Sequence, residues 1–156
     1  GIPFPDLDAL DPDTWDRVHE TNLRGPFLLA RAFASQLKRS KTGRIINVAS
    51  TAGIAPGGSS IAYAASKAGL IHLTRCLAVA MAPDVSVNCV APGLVEGTRM
   101  AARLPEKTAN FARAQAVLNR VGDPLDIARQ VVAFCASTSV SGQVMVVDGG
   151  MPGAMR

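Results

Sequence analysis

The chain has 156 residues, 48% hydrophobic and 4% aromatic, and a formal charge of +4. That is enough apolar material for one core of ordinary domain size, so the expectation is one domain or part of one. Arg75, Pro83 and Asp84 break the longest apolar candidate before it reaches membrane-spanning length, and the first twenty residues are acidic, unlike a secretory leader.

These features predict a cytoplasmic protein with no membrane partner. The net charge invites a nucleic-acid reading, but the only dense basic run is Lys38-Arg39-Ser40-Lys41 with Arg44. A helix C-terminus accounts for such a run through its dipole, and the scarcity of aromatic rings leaves no base-stacking surface. No nucleic-acid partner is expected, and the charge supports at most a weak attraction for a phosphate-bearing cofactor. Cys76, Cys89 and Cys135 are odd in number, lie in apolar stretches and lack metal-ligand spacing. They read as reduced core cysteines, with no metal site.

Asp11-Pro12-Asp13 has the form of a helix start, an acidic cap followed by a first-turn proline. The helix should run to about Arg39, with Trp15, Val18 and Asn22 on one inward stripe. Pro26 should disturb it just beyond Asn22, because proline removes an intrahelical hydrogen bond and crowds the preceding turn. A carbonyl near Asn22 could then hold water. From position alone, the favoured reading of Asn22 is a buried asparagine satisfied by neighbouring backbone.

Residues 45–49 form a short β-like run that Ser50 closes, and Gly53, Gly57 and Gly58 fill the loop after it. The alanine-rich stretch over residues 60–81 should be helical. Tyr63, the only tyrosine, and Lys67 are then i, i+4 neighbours on one face, close enough for the ammonium to act on the phenol. A free phenol with a pKa of about 10 is a poor acid or base near neutrality, but an adjacent cation favours the phenolate. Such a group can pass a proton to or from a carbonyl or hydroxyl oxygen, and the Ser50 hydroxyl could polarise the same oxygen.

Residues 85–90 make a second β-branched run that ends in the turn Pro92-Gly93. Two strands around a helix are a βαβ unit, whose strands should be parallel and whose crossover right-handed. The segment from Leu94 to Met100 and the polar, helix-prone stretch 101–119 follow. Ligands of open α/β sheets bind beyond the carboxyl ends of the strands, so Ser50, the Pro92-Gly93 turn and this insertion should converge on one crevice. Asp123-Pro124-Leu125-Asp126 opens another helix, to about Ser137. Residues 142–150 form a closing strand and turn, ending Val146-Val147-Asp148-Gly149-Gly150.

Taken together and in this order, Asn22-Leu23-Arg24-Gly25, Ser50, Tyr63-Ala64-Ala65-Ser66-Lys67, Asn88-Cys89-Val90-Ala91-Pro92-Gly93 and the closing strand resemble the short-chain dehydrogenase/reductase family. The likeness is to its compact members of the 3-oxoacyl carrier-protein reductase type. The resemblance implies an α/β fold, here the C-terminal half of a Rossmann-type doubly wound parallel sheet with about three strands and flanking helices. It implies hydride transfer between NAD or NADP and a small-molecule carbonyl or alcohol substrate. Asn22, Ser50, Tyr63 and Lys67 would be the catalytic tetrad: Tyr63 transfers the proton, Ser50 orients the oxygen, Lys67 tunes Tyr63 and binds the nicotinamide ribose, and Asn22 holds a relay water. Pro92, Gly93 and Val95 would border the nicotinamide, with Thr98 near the pyrophosphate.

Three departures accompany the likeness. The loop 138–141 is shorter than usual. One extra residue separates Pro92-Gly93 from Thr98. The glycine-rich phosphate turn and its opening strand are missing, and the chain begins Gly1-Ile2-Pro3-Phe4 where the family has just finished an Asn-Ala-Gly motif. At about 30 residues per βαβ unit, on the order of 90 residues are absent. The reading is therefore a partial NAD(P)-binding domain over residues 1–156, incomplete and inactive as it stands. The resemblance also implies a homo-oligomer, with the face of Leu70, Leu73, Leu77 and Met81 available to a partner copy, although each leucine fits an ordinary core equally well. The competing reading is a non-catalytic truncated association module that keeps the tetrad as a relic. An extended-branch sugar-nucleotide epimerase also uses Tyr-x-x-x-Lys, but the compact ending argues against it.

Overall fold

A computed structural model describes residues 6–155, and the start at Gly1-Ile2-Pro3-Phe4 lies outside them. Asp11 caps the first helix, α1 (Pro12–His19), with its Oδ1 accepting from the Thr14 amide at 2.8 Å and Pro12 in the first turn. A π-helical turn, Glu20–Arg24, follows and leads directly into α2 (Gly25–Arg39). Pro26 has no N–H to offer the carbonyl four residues back, which is that of Asn22, and its ring crowds that carbonyl. The chain absorbs the defect by widening one turn, with the Gly25 amide reaching the Glu20 carbonyl. The disturbance thus contains Asn22 instead of starting beyond it. Lys38 and Arg39 occupy the last turn of α2, the place where cations suit the helix dipole.

β1 (Gly43–Val48), α3 (Ile61–Met81), β2 (Val85–Pro92), α4 (Glu106–Gln115), α5 (Pro124–Ala136) and β3 (Val144–Val147) complete the order, with short 3₁₀ turns at Thr51–Gly53, Ala101–Arg103 and Pro152–Ala154. The three strands are parallel and lie in the order β1-β2-β3. Gly43 faces Val85 and Val48 faces Val90, while Cys89 faces Val144 and Pro92 faces Val147. This is the expected portion of a Rossmann-type sheet, with α2, α3 and α5 packed on it.

The middle strand is the core. Val87, Asn88, Cys89, Val90 and Ala91 are all fully buried, as the near-continuous apolar run of a strand covered on both faces requires. Each buried valine contributes about 1.5–3 kcal/mol relative to exposure. Leu70 and Ile71 of α3 pack with Ala49 and Cys89, and Met81 packs with Val85 and Val87. Leu70 and Met81 therefore belong to the core, not to a face free for a partner, while Leu73 and Leu77 are only partly buried. The cysteines also divide: Cys89 is buried, whereas Cys76 and Cys135 sit on the outward sides of α3 and α5.

The short loop 138–141 is tied firmly to β2. Asn88 donates to the Val140 carbonyl at 2.9 Å and accepts from the Gln143 amide at 3.0 Å, and the Gly142 amide reaches the Val87 carbonyl. On the other side, no described strand pairs with the outer edge of β1. A groove of about 570 Å³ runs there, walled by Leu29, Ala30, Phe33, Leu37, Ile46 and Val48. Among the described residues, no helix is long and apolar enough to cross a membrane.

Candidate active site

Helix α3 starts at a cap that also sets the tyrosine. The Ser60 hydroxyl accepts from the Tyr63 amide at 3.1 Å, fixing Tyr63 in the first turn. The ring then lies against the loop after β1. Gly58 has φ +88°, and a Cβ there would come within 3.0 Å of Tyr63 Cδ1 and 2.9 Å of Ala52 Cβ. Glycine is needed both for the backbone conformation and for the space the phenol occupies.

Ser50 stands just past the end of β1 in extended backbone and caps the turn Thr51–Gly53, its Oγ accepting from the Ala52 amide at 3.2 Å. That turn sits directly on α3. A Cβ on Gly53 would lie 2.6 Å from the Lys67 carbonyl carbon and 2.7 Å from the Ala68 nitrogen. The Ser50 turn and the Tyr63–Lys67 face are therefore in backbone contact.

Lys67 bridges the two elements. Its Nζ donates to the Val48 carbonyl at 2.9 Å and lies 5.7 Å from the centroid of the Tyr63 ring, within reach for a cation–π attraction. Burial pushes the ammonium below the ordinary lysine value of 10.5, and the Cys89 thiol acts weakly in the opposite direction. Asn22 reaches α3 as well, with Nδ2 donating to Ser66 Oγ at 3.1 Å. Ser66 Oγ in turn donates to the Tyr63 carbonyl at 2.7 Å. The partner of Asn22 is thus a side chain of the tyrosine helix and not neighbouring backbone.

The Pro92-Gly93 turn closes in from β2. The Gly93 amide bonds the Val147 carbonyl at 3.0 Å, and a Cβ on Gly93 would lie 2.6 Å from Asp148 Cβ and 3.8 Å from Thr51 Oγ1. Asn22, Ser50, Tyr63, Lys67, Pro92 and Gly93 are thereby gathered at the carboxyl ends of β1 and β2. Val95 and Thr98 lie farther along the connection: Val95 bridges to Gly122, and Thr98 Oγ1 donates to the Val95 carbonyl at 2.9 Å while accepting from the Ala101 amide at 3.1 Å. No hydrogen bond among the described residues joins either to the other six.

Two contributors escape a reading for catalytic residue types. Ser66 is fully buried between Asn22 and Tyr63, and its only sequence signal is a small polar side chain three residues after Tyr63. Asp148 is buried, with Oδ1 accepting from the Gly150 and Met151 amides at 2.8 and 3.2 Å, and it shapes the turn on which Gly93 rests. Its sequence signal is the pair of glycines after it.

A family model described as Enoyl-(Acyl carrier protein) reductase matches residues 4–152. The 3-oxoacyl-[acyl-carrier-protein] reductase FabG of Thermotoga maritima is 39% identical over 149 residues, covering 93% of this chain and 60% of that protein. The short-chain dehydrogenase/reductase homolog YusR of Bacillus subtilis is 39% identical over 128 residues, or 82% of this chain and 98% of that one. A solved 3-oxoacyl-[acyl-carrier protein] reductase with bound NAD from Brucella melitensis superposes with a TM-score of 0.85 at 28% identity, covering 100% of this chain and 57% of its own. The chain spans about 60% of the length of the two reductases and nearly all of the Bacillus protein.

Proposed function

The chain belongs to the short-chain dehydrogenase/reductase family, of the 3-oxoacyl reductase type, and from that membership we propose that it carries the proton-transfer half of an oxidoreductase. The reaction is the interconversion of a carbonyl and an alcohol on a small molecule, with NAD or NADP. The observation that carries this reading is the backbone contact of the Ser50 turn with α3, which sets a hydroxyl, the lone phenol and a half-buried ammonium at one end of the sheet.

The donor set suits the reacting end of a dinucleotide. Lys67 and Tyr63 would hold the ribose next to the nicotinamide, and Pro92, Gly93 and Val95 would border the ring, with Thr98 toward the pyrophosphate. Bound there, the nicotinamide supplies or accepts hydride at C4. Ser50 donates a hydrogen bond to the substrate oxygen, and Tyr63 gives that oxygen a proton in the reductive direction or takes one in the other. Lys67 sets its ammonium beside the phenol, and Asn22 holds a relay water at a carbonyl that Pro26 leaves short of its usual donor.

The rest of a dinucleotide has no such reception among the described residues. The described helix starts are capped ends and not glycine-rich phosphate turns: Ser60 accepts from the Tyr63 amide at α3, and Asp123 from the Asp126 amide at α5. We therefore infer that these 156 residues do not turn over by themselves, and that the missing contacts come from a segment pairing along the open edge of β1. The complete protein is a cytoplasmic homo-oligomer in this reading.

The second reading, a non-catalytic association module, draws on the apolar groove beside β1 and on the matching span of the Bacillus relative. Titrating the 156-residue chain with NADPH by nucleotide fluorescence, beside a version extended by a glycine-turn half, separates the two. The short chain should show no saturable binding, and the extended one should bind and reduce carbonyls. Micromolar binding by the short chain would overturn its incompleteness. A folded extended version that binds NADPH and reduces no carbonyl would favour the association module.

A further inference from the structure

We propose that Ser66 is a positioning residue for this site, latching the Asn22 side chain to the Tyr63 turn of α3. The inference rests on the proton-transfer reading above. An asparagine Nδ2 can only donate, so Ser66 Oγ must accept from it, which commits the hydroxyl hydrogen to the Tyr63 carbonyl. One hydroxyl thus ties together residues 44 positions apart in sequence.

The latch matters because the helix alone does not fix Asn22. It lies inside the π-helical turn, where the regular hydrogen-bond ladder is broken and Pro26 supplies no N–H at the normal spacing. What seats this turn on α3 is contact with small side chains. A Cβ at Gly69 would come 2.9 Å from Leu23 Cδ2, and Ser66 is fully buried one helical turn away. Asn22 and Lys67 then wall the same cavity. Ser66 therefore sets where the water-holding backbone at Asn22 stands relative to the ammonium. Without the hydroxyl, Nδ2 loses its acceptor in a half-buried position and the turn can drift.

Hydrogen exchange of the full chain, read by peptide mass spectrometry, tests the latch without any cofactor. Ser66→Ala should speed exchange over residues 20–24 by about tenfold while β2 and α5 keep their parent rates. Asn22→Ala should do the same, and the double variant should exchange no faster than either single one. Parent-like exchange over residues 20–24 in Ser66→Ala, or effects that multiply in the double variant, would overturn the latch. If Ser66→Ala unfolds the whole chain, Asn22→Ala decides alone, and unchanged exchange there overturns the proposal. A separate arm uses the extended, NADPH-binding version, where Ser66→Ala should lower kcat several-fold with little change in KM. Full turnover by Tyr63→Phe in that version would sink the proton-transfer reading while leaving the exchange result standing, so the two failures are distinguishable.

Discussion

The corner around Tyr63 and the stretch 94–119 lie at the same end of the sheet, yet they are held in opposite ways. The corner is bound across elements: α1–α2 to α3 through Asn22 and Ser66, β1 to α3 through Lys67, and the Ser50 turn to α3 by backbone contact. The stretch is pinned only near its ends. Glu96 bonds Gly122, and Val117 and Leu118 bond Gly150 and Gly149. Between those pins its bonds are local, Glu96 pairs with Arg113 of α4, and Met100, Phe111 and Val117 are 60–65% exposed. Proton transfer needs fixed geometry, whereas a wall that sorts substrates can be soft, so under the proposed function the tied corner would carry the chemistry and the loosely held stretch would face the substrate.

The largest effect is expected at Tyr63. In an extended version that binds NADPH, Tyr63→Phe should cost on the order of 10²–10⁴-fold in kcat and change cofactor affinity only a few-fold, since the ring and its packing against Gly58 remain. Steady-state kinetics with a direct NADPH titration check both halves. Substantial residual turnover would mean that the phenol does not carry the proton.

Gly149 probes the pins. Its φ is +75°, and a Cβ there would lie 1.8 Å from the Arg120 carbonyl oxygen, so Gly149→Ala must move backbone. A strained left-handed residue costs about 1–3 kcal/mol, which for a chain of this size lowers Tm by roughly 2–4 °C per kcal/mol. The exchange of residues 117–118 should rise while that of residues 20–24 stays at its parent rate. An equal rise in both places would mean that the two regions are one cooperative unit.

Much of the corner was legible in the sequence because its signals are local. The acidic cap with its proline, the β-branched runs, the Tyr63–Lys67 spacing and the Pro92-Gly93 turn each announce an element within ten residues. The latch was not, since Ser66 chooses its partner 44 residues away and nothing at Ser66 names Asn22. The outward positions of Cys76 and Cys135, and the burial of Leu70 and Met81, depend on how α3 and α5 are rotated against a sheet whose order only the tertiary pairing reveals. Over residues 101–119 the polar pattern foretold helix, and α4 forms over Glu106–Gln115, but residue type alone could not show that the stretch 94–119 is tied only near its ends.

The burial of Lys67 in the corner has a signature in pH. Burial holds its ammonium below 10.5 in the folded chain, while the unfolded chain keeps the ordinary value. Across that window the unfolded state binds more protons, so the Lys67 contribution to stability rises as pH rises toward 10.5. The Cys89 thiol, which burial pushes above 9.0, acts in the opposite sense and loses stability at alkaline pH. Comparing parent with Lys67→Met cancels most of the Cys89 effect. The Tm of the parent should gain on that of Lys67→Met between neutral pH and 10.5, and a difference that stays flat or falls would mean that the ammonium is not desolvated by the corner.

The smallest expected effect lies at Phe111. It sits on α4, a helix with no buried residue, and it is 65% exposed, so little apolar area leaves protein contact when it is replaced. Surface substitutions away from caps and cores usually stay within about 0.5 kcal/mol. Phe111→Ser should therefore leave the thermal midpoint within about 2 °C of the parent, and exchange at the Val117 and Leu118 pins should not change. The extended version should keep its kcat while KM for an apolar substrate rises, because an exposed aromatic side chain on a loosely held wall is free to meet a ligand. A loss above about 1 kcal/mol in the chain alone would show Phe111 packed against the body. The stretch would then be as rigid as the corner, and the division between fixed chemistry and yielding wall would fail.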